Sequence, residues 1–142
     1  MNLKEQIAQV KDTLLDFVNQ PRPTLGIDLD GCVDESPPFF NTLTHSWPGE
    51  VIVVTFRSDR KKAVFQLNEY GIRFTDVVLV SSFEAKAEII VQRGISFYID
   101  DQPEMLKNIP SNVAVMLFRN GGNFDFEDRR WMLSENTGKF VR

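Results

Sequence analysis

Two aspartates stand two positions apart at the end of an apolar run, in the stretch GIDLDG over residues 26–31. In an extended backbone, side chains two positions apart point to the same side, so Asp28 and Asp30 are predicted to act together. One carboxylate could attack phosphorus and form an aspartyl-phosphate, while the other protonates the leaving oxygen and then deprotonates the attacking water. Gly31 would let the backbone turn tightly and bring amide groups towards the phosphoryl oxygens.

A second acidic pair, Asp100 and Asp101, ends another apolar run much further along the chain. If the two runs are neighbouring strands, four carboxylates converge on one small volume and repel one another. A bound cation removes that repulsion, and an oxygen-rich ligand set favours a hard ion, of which Mg²⁺ suits a phosphate-bearing substrate. The sequence therefore predicts a Mg²⁺ site formed by Asp28, Asp30, Asp100 and Asp101.

Three further side chains are candidates for binding the phosphoryl oxygens, over which negative charge spreads in the transition state. Thr55 ends the apolar run VIVVT, and Lys86 is the only lysine between residues 63 and 106. A hydroxyl from Thr55 and an ammonium from Lys86 would hold these oxygens. Arg57 is a candidate substrate contact, the alternative being a charge on a surface loop.

Five apolar runs are typical of strands and alternate with helical patterns. We predict strands at 24–30, 51–56, 76–80, 95–100 and 113–118, and helices at 59–71, 83–94 and 103–109. Several strand runs are apolar throughout, as expected when helices cover both faces of a sheet. The alternation predicts a three-layer α/β fold with a parallel sheet of about five strands and right-handed crossovers. Ligands bind such sheets beyond the carboxyl ends of the strands, which is where the candidate residues lie.

Two segments do not belong to this alternation of strands and helices. Residues 2–19 form an amphipathic pattern whose apolar positions recur at alternating steps of four and three, namely Leu3, Ile7, Val10, Leu14 and Phe17. We expect this helix to pack on its own domain, the alternatives being a homodimer contact or a lid near the site. Residues 31–49 are predicted to form a short cap-like loop at the mouth of the site.

The bulk composition limits the classes of function. A chain of 142 residues suits one domain over 1–142, and its net charge of −4 makes nucleic acid an unlikely partner. The single cysteine, Cys32, excludes an intrachain disulfide and fits a reducing compartment. The chain has no apolar run of membrane-spanning length and no secretory segment, so we expect a cytoplasmic protein that does not bind membranes.

Four short motifs occur in one order: IDLDG at 27–31, VIVVT at 51–55, Lys86, and FYIDD at 97–101. Together they resemble the signatures of the haloacid dehalogenase (HAD) superfamily of phosphatases. Within that superfamily, the Thr-x-Arg of residues 55–57 is similar to small deoxyribonucleotidase-like members. Those members usually carry a helical cap between the first two motifs. The span between Asp30 and Thr55 is too short for a full cap, so the resemblance implies a minimal one.

The resemblance implies a Rossmannoid fold, Mg²⁺ dependence, and hydrolysis of phosphomonoesters through an aspartyl-phosphate. It makes Asp28 the nucleophile and Asp30 the general acid and base. It also implies a small phosphorylated substrate, such as a nucleotide or a sugar phosphate, and a nucleotidase-like activity. The implied metal ligands are Asp28, the backbone carbonyl of Asp30 and Asp100, with Asp101 close behind, and the implied phosphate ligands are Thr55 and Lys86.

Two other functions remain as alternatives. A receiver-like phospho-accepting domain also uses clustered aspartates, a threonine and a lysine, although there the acidic pair comes first and the lysine last. A catalytically idle binding module on the same scaffold would not need the acid/base group at Asp30. A dinucleotide-binding enzyme and a P-loop protein are excluded, because the sequence contains neither G-x-G-x-x-G after the first strand nor G-x-x-x-x-G-K-[ST].

Overall fold

The acidic strand ends belong to one sheet of five parallel strands. The computed structural model describes residues 1–19, 21–121, 124–128 and 130–131. The strands are β1 (Thr24–Ile27), β2 (Val51–Thr55), β3 (Asp76–Leu79), β4 (Ile95–Asp100) and β5 (Ala114–Leu117), in the spatial order β3-β2-β1-β4-β5. Each strand lies within its predicted run, and every neighbouring pair is parallel. The predicted α/β fold is therefore confirmed.

Five helices accompany the sheet: α1 (Leu3–Asn19), α2 (Pro37–Ser46), α3 (Arg60–Glu69), α4 (Phe83–Gln92) and α5 (Pro103–Leu106). Side-chain caps begin α3 and α4, since Asp59 accepts from the Lys62 amide at 3.1 Å and Ser82 from the Ala85 amide at 3.0 Å. A short antiparallel hairpin, β6 (Phe124–Asp125) with β7 (Arg130–Trp131), follows the sheet. The remainder of the C-terminal tail, residues 132–142, lies outside the described residues.

The helices divide between the two faces of the sheet, which makes three layers. Phe40 of α2 and Leu67 of α3 pack into one apolar cluster, while Ile90 of α4 and Leu106 of α5 belong to a second cluster on the opposite face. The chain moves outward from β1 to β3 and then returns to place β4 on the other side of β1. Right-handed crossovers put the helices of the two halves on opposite faces. The crevice between the carboxyl ends of β1 and β4 is thus the topological switch point.

The segment predicted as a cap-like loop, 31–49, is largely helical instead. Pro37–Ser46 form α2, the crossover between β1 and β2, preceded by a tight turn at Leu29–Val33. Pro37 and Pro38 lie in the first helical turn, where a missing N–H removes no hydrogen bond. Phe40 is buried and Leu43 and Trp47 pack on the same cluster, at the spacing of one helix face.

The N-terminal helix forms as predicted, but it does not pack on its own domain. Every described side chain of α1 is exposed, including Leu3, which is 70% exposed, and Val10, which is 57% exposed. The expectation that the apolar stripe faces the domain was therefore wrong; the side chain of Phe17 lies outside the described part. Over the residues that the structure describes, no helix is long and apolar enough to cross a membrane.

Candidate active site

Asp28 and Asp100 lie side by side at the switch point of the sheet. Ile27 of β1 pairs with Ile99 of β4, and the Asp28 amide donates to the Ile99 carbonyl at 3.0 Å. The residues that follow this pair, Asp28 and Asp100, therefore lie side by side at the carboxyl ends of the two strands. Both side chains are buried, Asp28 being 1% exposed. The expectation that the first and fourth strands are neighbours and bring their acidic ends together holds for these two residues.

Lys86 lies between these two carboxylates. Its Nζ donates to Asp28 Oδ1 at 3.0 Å and to Asp100 Oδ2 at 2.8 Å, and its side chain is fully buried. The aromatic ring of Phe56 faces the ammonium with its centroid 4.8 Å away. Burial lowers the pKa of Lys86, but the attraction of Asp100 and Asp28 outweighs burial and holds that pKa above its ordinary value. Lys86 is thus a permanent cation that neutralises part of the cluster.

Asp101 adds a third carboxylate to the same buried cluster. Burial raises the pKa of Asp101 to about 7, and the negative charge of Asp100 contributes to the rise. Burial also raises the pKa of Asp28 well above its ordinary value, against the opposing attraction of Lys86. Three carboxylates with one ammonium carry more negative charge than the site can hold without protons or a cation.

The donor atoms of this cluster fit a hard cation. Asp28 Oδ2 is buried and accepts no N–H or hydroxyl hydrogen bond from the described residues. Ligand atoms of Asp28, Cys32 and Asp101 lie within 4.8 Å of one another. Burial raises the pKa of the Cys32 thiol well above its ordinary value, so Cys32 stays protonated and offers a poor ligand. The carboxylates of Asp28 and Asp101 remain, and oxygen donors suit Mg²⁺.

Asp100, predicted as a metal ligand, already has hydrogen bonds on both carboxylate oxygens. Oδ1 accepts from the Gln102 amide at 2.8 Å, and Oδ2 accepts from Lys86 and from the Tyr98 hydroxyl at 2.6 Å. The carboxylates best placed to bind a metal ion are therefore those of Asp28 and Asp101. Asp100 orients Lys86 beside them.

Asp30 has a different environment from Asp28. β1 ends at Ile27, and the turn that follows breaks the extended backbone from which a common direction was expected. The Asp30 carboxylate is partly exposed and accepts two parallel hydrogen bonds from Arg57, Nε to Oδ2 at 2.9 Å and Nη2 to Oδ1 at 2.6 Å. Arg57, predicted to contact phosphate, therefore orients Asp30 in this structure.

The remaining predicted phosphate contacts also have partners within the protein. Thr55 is buried at the end of β2, and its Oγ1 accepts from the Arg57 amide at 3.2 Å. The Gly31 amide donates to Asp34 Oδ1 at 2.7 Å, so a phosphoryl oxygen would compete with that carboxylate for the amide. Gly31 has φ +85°, and a Cβ at this position would overlap the Asp101 carboxylate.

The sequence analysis missed three side chains that support the site. Tyr98 holds Asp100 from within the same strand, two positions away, and this spacing is a signal that could have identified it. Phe56 follows Thr55 and stacks its ring against the Lys86 ammonium. Asn120 donates from Nδ2 to the Gly31 carbonyl at 2.7 Å. Nothing in the local sequence around Asn120 indicates that contact, because it depends on the path of the chain after β5.

Comparisons of this chain with protein-family models, with curated proteins and with solved structures gave no match. The fold itself is a Rossmann-like parallel α/β sheet of five strands with an additional N-terminal helix. The resemblance to the HAD superfamily depends on the four motifs, three of them at the ends of β1, β2 and β4 and the fourth, Lys86, on α4.

Proposed function

We propose that this protein is a Mg²⁺-dependent phosphomonoester hydrolase that forms an aspartyl-phosphate on Asp28. The proposal rests on the hydrogen bonds of the two Asp28 carboxylate oxygens at the switch point of the sheet. Lys86 anchors Oδ1, while Oδ2 is buried and accepts no N–H or hydroxyl hydrogen bond from the described residues. Asp101 is hydrogen-bonded to Asp28, and two buried carboxyl groups in contact need a shared proton or a cation. Such pairs concentrate at sites with a chemical role.

The chain's own residues supply a balanced reaction. An oxygen of Asp28 forms a bond to phosphorus as the ester P–O bond breaks, and protonated Asp30 gives its proton to the leaving oxygen. Asp30 then takes a proton from water, which attacks the aspartyl-phosphate and releases inorganic phosphate. Arg57 holds the carboxylate form of Asp30 in place through two hydrogen bonds, one of which is given up when Asp30 carries the proton. Lys86 offsets negative charge throughout.

Asp28 and Asp101 would hold the Mg²⁺, with Asp100 and the Asp30 carbonyl near it. When bound, the ion neutralises the excess negative charge of the cluster and polarises the phosphoryl oxygens. Asp28 is 1% exposed, so a substrate reaches it only when the surrounding side chains move.

The proposed substrate is a small phosphorylated metabolite, a nucleotide or a sugar phosphate. The Thr55-Phe56-Arg57 stretch supports a nucleotidase-like activity by its similarity to deoxyribonucleotidase-like phosphatases. The net charge of −4 opposes binding to nucleic acid. The short connection through α2 adds no separate cap domain.

The direct contact between Lys86 and Asp28 also suits a second candidate, a receiver-like domain that stores a phosphoryl group on Asp28. Labelling with acetyl phosphate separates the two functions. A hydrolase turns the label over rapidly, whereas a receiver-like domain keeps it on the protein. An idle binding module would take up no label.

The decisive experiment compares the wild type with Asp28→Asn on p-nitrophenyl phosphate and on a panel of phosphorylated metabolites, with phosphate release as the readout. We expect Asp28→Asn to lower turnover by at least about a thousandfold, because the amide cannot act as the nucleophile. Asp12→Asn, on the exposed helix α1, is the matched control and should keep full activity. Turnover retained in Asp28→Asn would refute the proposal.

A further inference from the structure

Among the described residues, apolar side chains on one face of the sheet are exposed at β4 and β5. Phe97 pairs in register with Ala114, and Ile99 with Met116, so these four side chains share a face. Ile99 belongs to the cluster under α2 and α3, which identifies the face. Phe97 is 44% exposed, Met116 is 61% exposed, and Ala114 is exposed as well. We call Phe97, Ala114 and Met116 the open face.

The open face exists because the described crossover helices on that side serve the other half of the sheet. The cluster under α2 and α3 is built mainly on β1, β2 and β3, whereas α4 and α5 pack on the opposite face, where Val115 of β5 is 42% exposed. A parallel sheet is normally covered on both faces, and its strands carry apolar residues accordingly. A helix placed over β4 and β5 beside α2 would complete the layer.

The same chain carries an amphipathic helix without a described partner on its apolar side. In the C-terminal half of α1, Val10, Leu14, Val18 and Leu15 are all exposed and span an arc of about 140° at 100° per residue. Lys11 is the one charged residue within this arc, and its aliphatic stem can lie along an apolar surface. This apolar arc is wider than the narrow apolar stripe of a helix in a two-stranded coiled coil. Its width is typical of a helix that packs on the surface of a domain.

The chain that follows α1 is fixed beside the open face. Trp47 Nε1 donates to the Pro23 carbonyl at 2.8 Å, and the Trp47 ring contacts the Phe97 ring with centroids 5.5 Å apart. Arg22 Nη1 donates to the Pro48 carbonyl at 3.1 Å. The two prolines, Pro21 and Pro23, favour an extended backbone in this connection, because proline restricts the residue before it as well. Pro23, immediately before β1, is therefore linked through Trp47 to Phe97 of the open face.

We propose that the apolar side of α1 binds the open face of a second copy of this chain, in a reciprocal homodimer. Leu3 and Ile7, which are exposed as well, continue the apolar side into the N-terminal half of α1. The whole helix of 17 residues is about 25 Å long and about 10 Å wide, so it covers roughly 250 Å² of each surface in contact. Two reciprocal contacts bury on the order of 1,000 Å² in total, at the lower limit of a specific interface. The dimer should therefore dissociate on dilution. This inference is independent of the proposed hydrolase activity.

The first test is the molar mass in solution, measured by light scattering after gel filtration. At high micromolar concentration we expect twice the chain mass of 16.3 kDa, with a shift towards one chain on dilution. Val10→Lys should give a monomer, and Gln9→Lys, which adds the same charge outside the apolar arc, should keep the dimer. A wild-type monomer at high concentration, or a dimer that Val10→Lys leaves intact, would overturn the proposal.

The second test identifies which surfaces meet. Chains carrying Leu14→Cys are mixed with chains carrying Met116→Cys, oxidised with copper phenanthroline and mapped by mass spectrometry. The proposal requires a bond between the two different chains. A bond formed only between two Leu14→Cys chains indicates helix pairing and contradicts it. A chain that carries both Leu14→Cys and Met116→Cys is oxidised separately at a concentration at which it is monomeric. A bond within that single chain would show that α1 covers its own sheet, which contradicts the proposal equally.

Discussion

The ammonium of Lys86 lies 3.0 Å from Asp28 and 2.8 Å from Asp100, with all three side chains buried at the switch point of the sheet. Each charge is taken out of water, and the mutual attraction offsets that penalty only while the partners stay together. The contact therefore makes the stability of the fold depend on the same residues that the proposed chemistry uses.

Replacing Lys86 with methionine should destabilise the protein strongly. The variant keeps most of the side-chain volume but leaves the carboxylates of Asp28 and Asp100 buried without their cation. We expect the free energy of unfolding to fall by about 3–5 kcal/mol. Urea denaturation measures it. Lys61→Met, at an exposed position of α3, should change the free energy by less than about 0.5 kcal/mol. A Lys86 variant as stable as the wild type would disprove the charge balance described here.

The raised pKa of Asp101 predicts that stability falls as the pH rises from about 3.8 to about 7. The folded protein holds a proton on Asp101 up to a pKa of about 7, whereas the unfolded chain releases it near the ordinary pKa of 3.8. Between these values the folded state binds more protons, so each pH unit lowers the free energy of unfolding by up to about 1.4 kcal/mol. The contribution is favourable at low pH and is lost as the pH approaches 7.

Urea denaturation at pH 5 and pH 8, with a chelator present, measures this dependence. Asp101→Asn should show a smaller difference between the two pH values, the remainder coming from Asp28, whose pKa burial also raises, whereas Asp16→Asn on α1 should keep the full difference. Equal slopes in the wild type and in Asp101→Asn would place the titration elsewhere.

Magnesium should stabilise the protein and support its activity. An ion that binds only the folded state at a hundred times its dissociation constant adds about 2.7 kcal/mol to the free energy of unfolding. We expect a higher melting temperature with Mg²⁺, no such shift in Asp28→Asn, and loss of turnover in EDTA that added Mg²⁺ restores. Turnover that persists in EDTA, or a shift that Asp28→Asn retains, would contradict the metal site.

The fold followed from local patterns to a large extent. The apolar runs around Val53 and Ile99 predicted strands, and the caps at Asp59 and Ser82 begin helices inside predicted segments. The segment at 37–46 was misjudged because Pro37 and Pro38 are also compatible with a loop. The partner of α1 was misjudged because amphipathic spacing shows which side of a helix is apolar but not what covers it.

The sequence predicted which residues lie near one another at the candidate site better than it predicted their hydrogen-bond partners. The strand ends identified Asp28, Asp100 and Asp101, because parallel strands place their carboxyl ends at one edge. Lys86 and Arg57 were assigned to phosphate, yet in the structure they pair with aspartates. Such pairings depend on the register between distant elements, which local patterns do not encode.

Gly31 should tolerate alanine poorly for two separable reasons. Its φ of +85° is strained for any residue with a Cβ, and that Cβ would also overlap Asp101. Gly94→Ala is the matched control, because Gly94 has φ +62° but nothing within 4 Å of a built Cβ. The left-handed conformation alone costs about 1–2 kcal/mol, and Gly31→Ala should exceed that value in urea denaturation. Equal losses in the two variants would show that Asp101 moves aside without penalty.

Arg57→Lys should lower the turnover number more than it changes the Michaelis constant. Lysine keeps the positive charge but cannot make the two parallel hydrogen bonds that orient Asp30. If Arg57 acts by positioning the acid/base group, we expect a loss of about tenfold to a hundredfold in kcat, because a displaced acid transfers its proton poorly. Arg60→Lys, which affects an ion pair with Asp76 on the exposed side of α3, should leave both constants unchanged. A rise in the Michaelis constant with an unchanged kcat would instead make Arg57 a direct substrate contact, as the sequence first suggested.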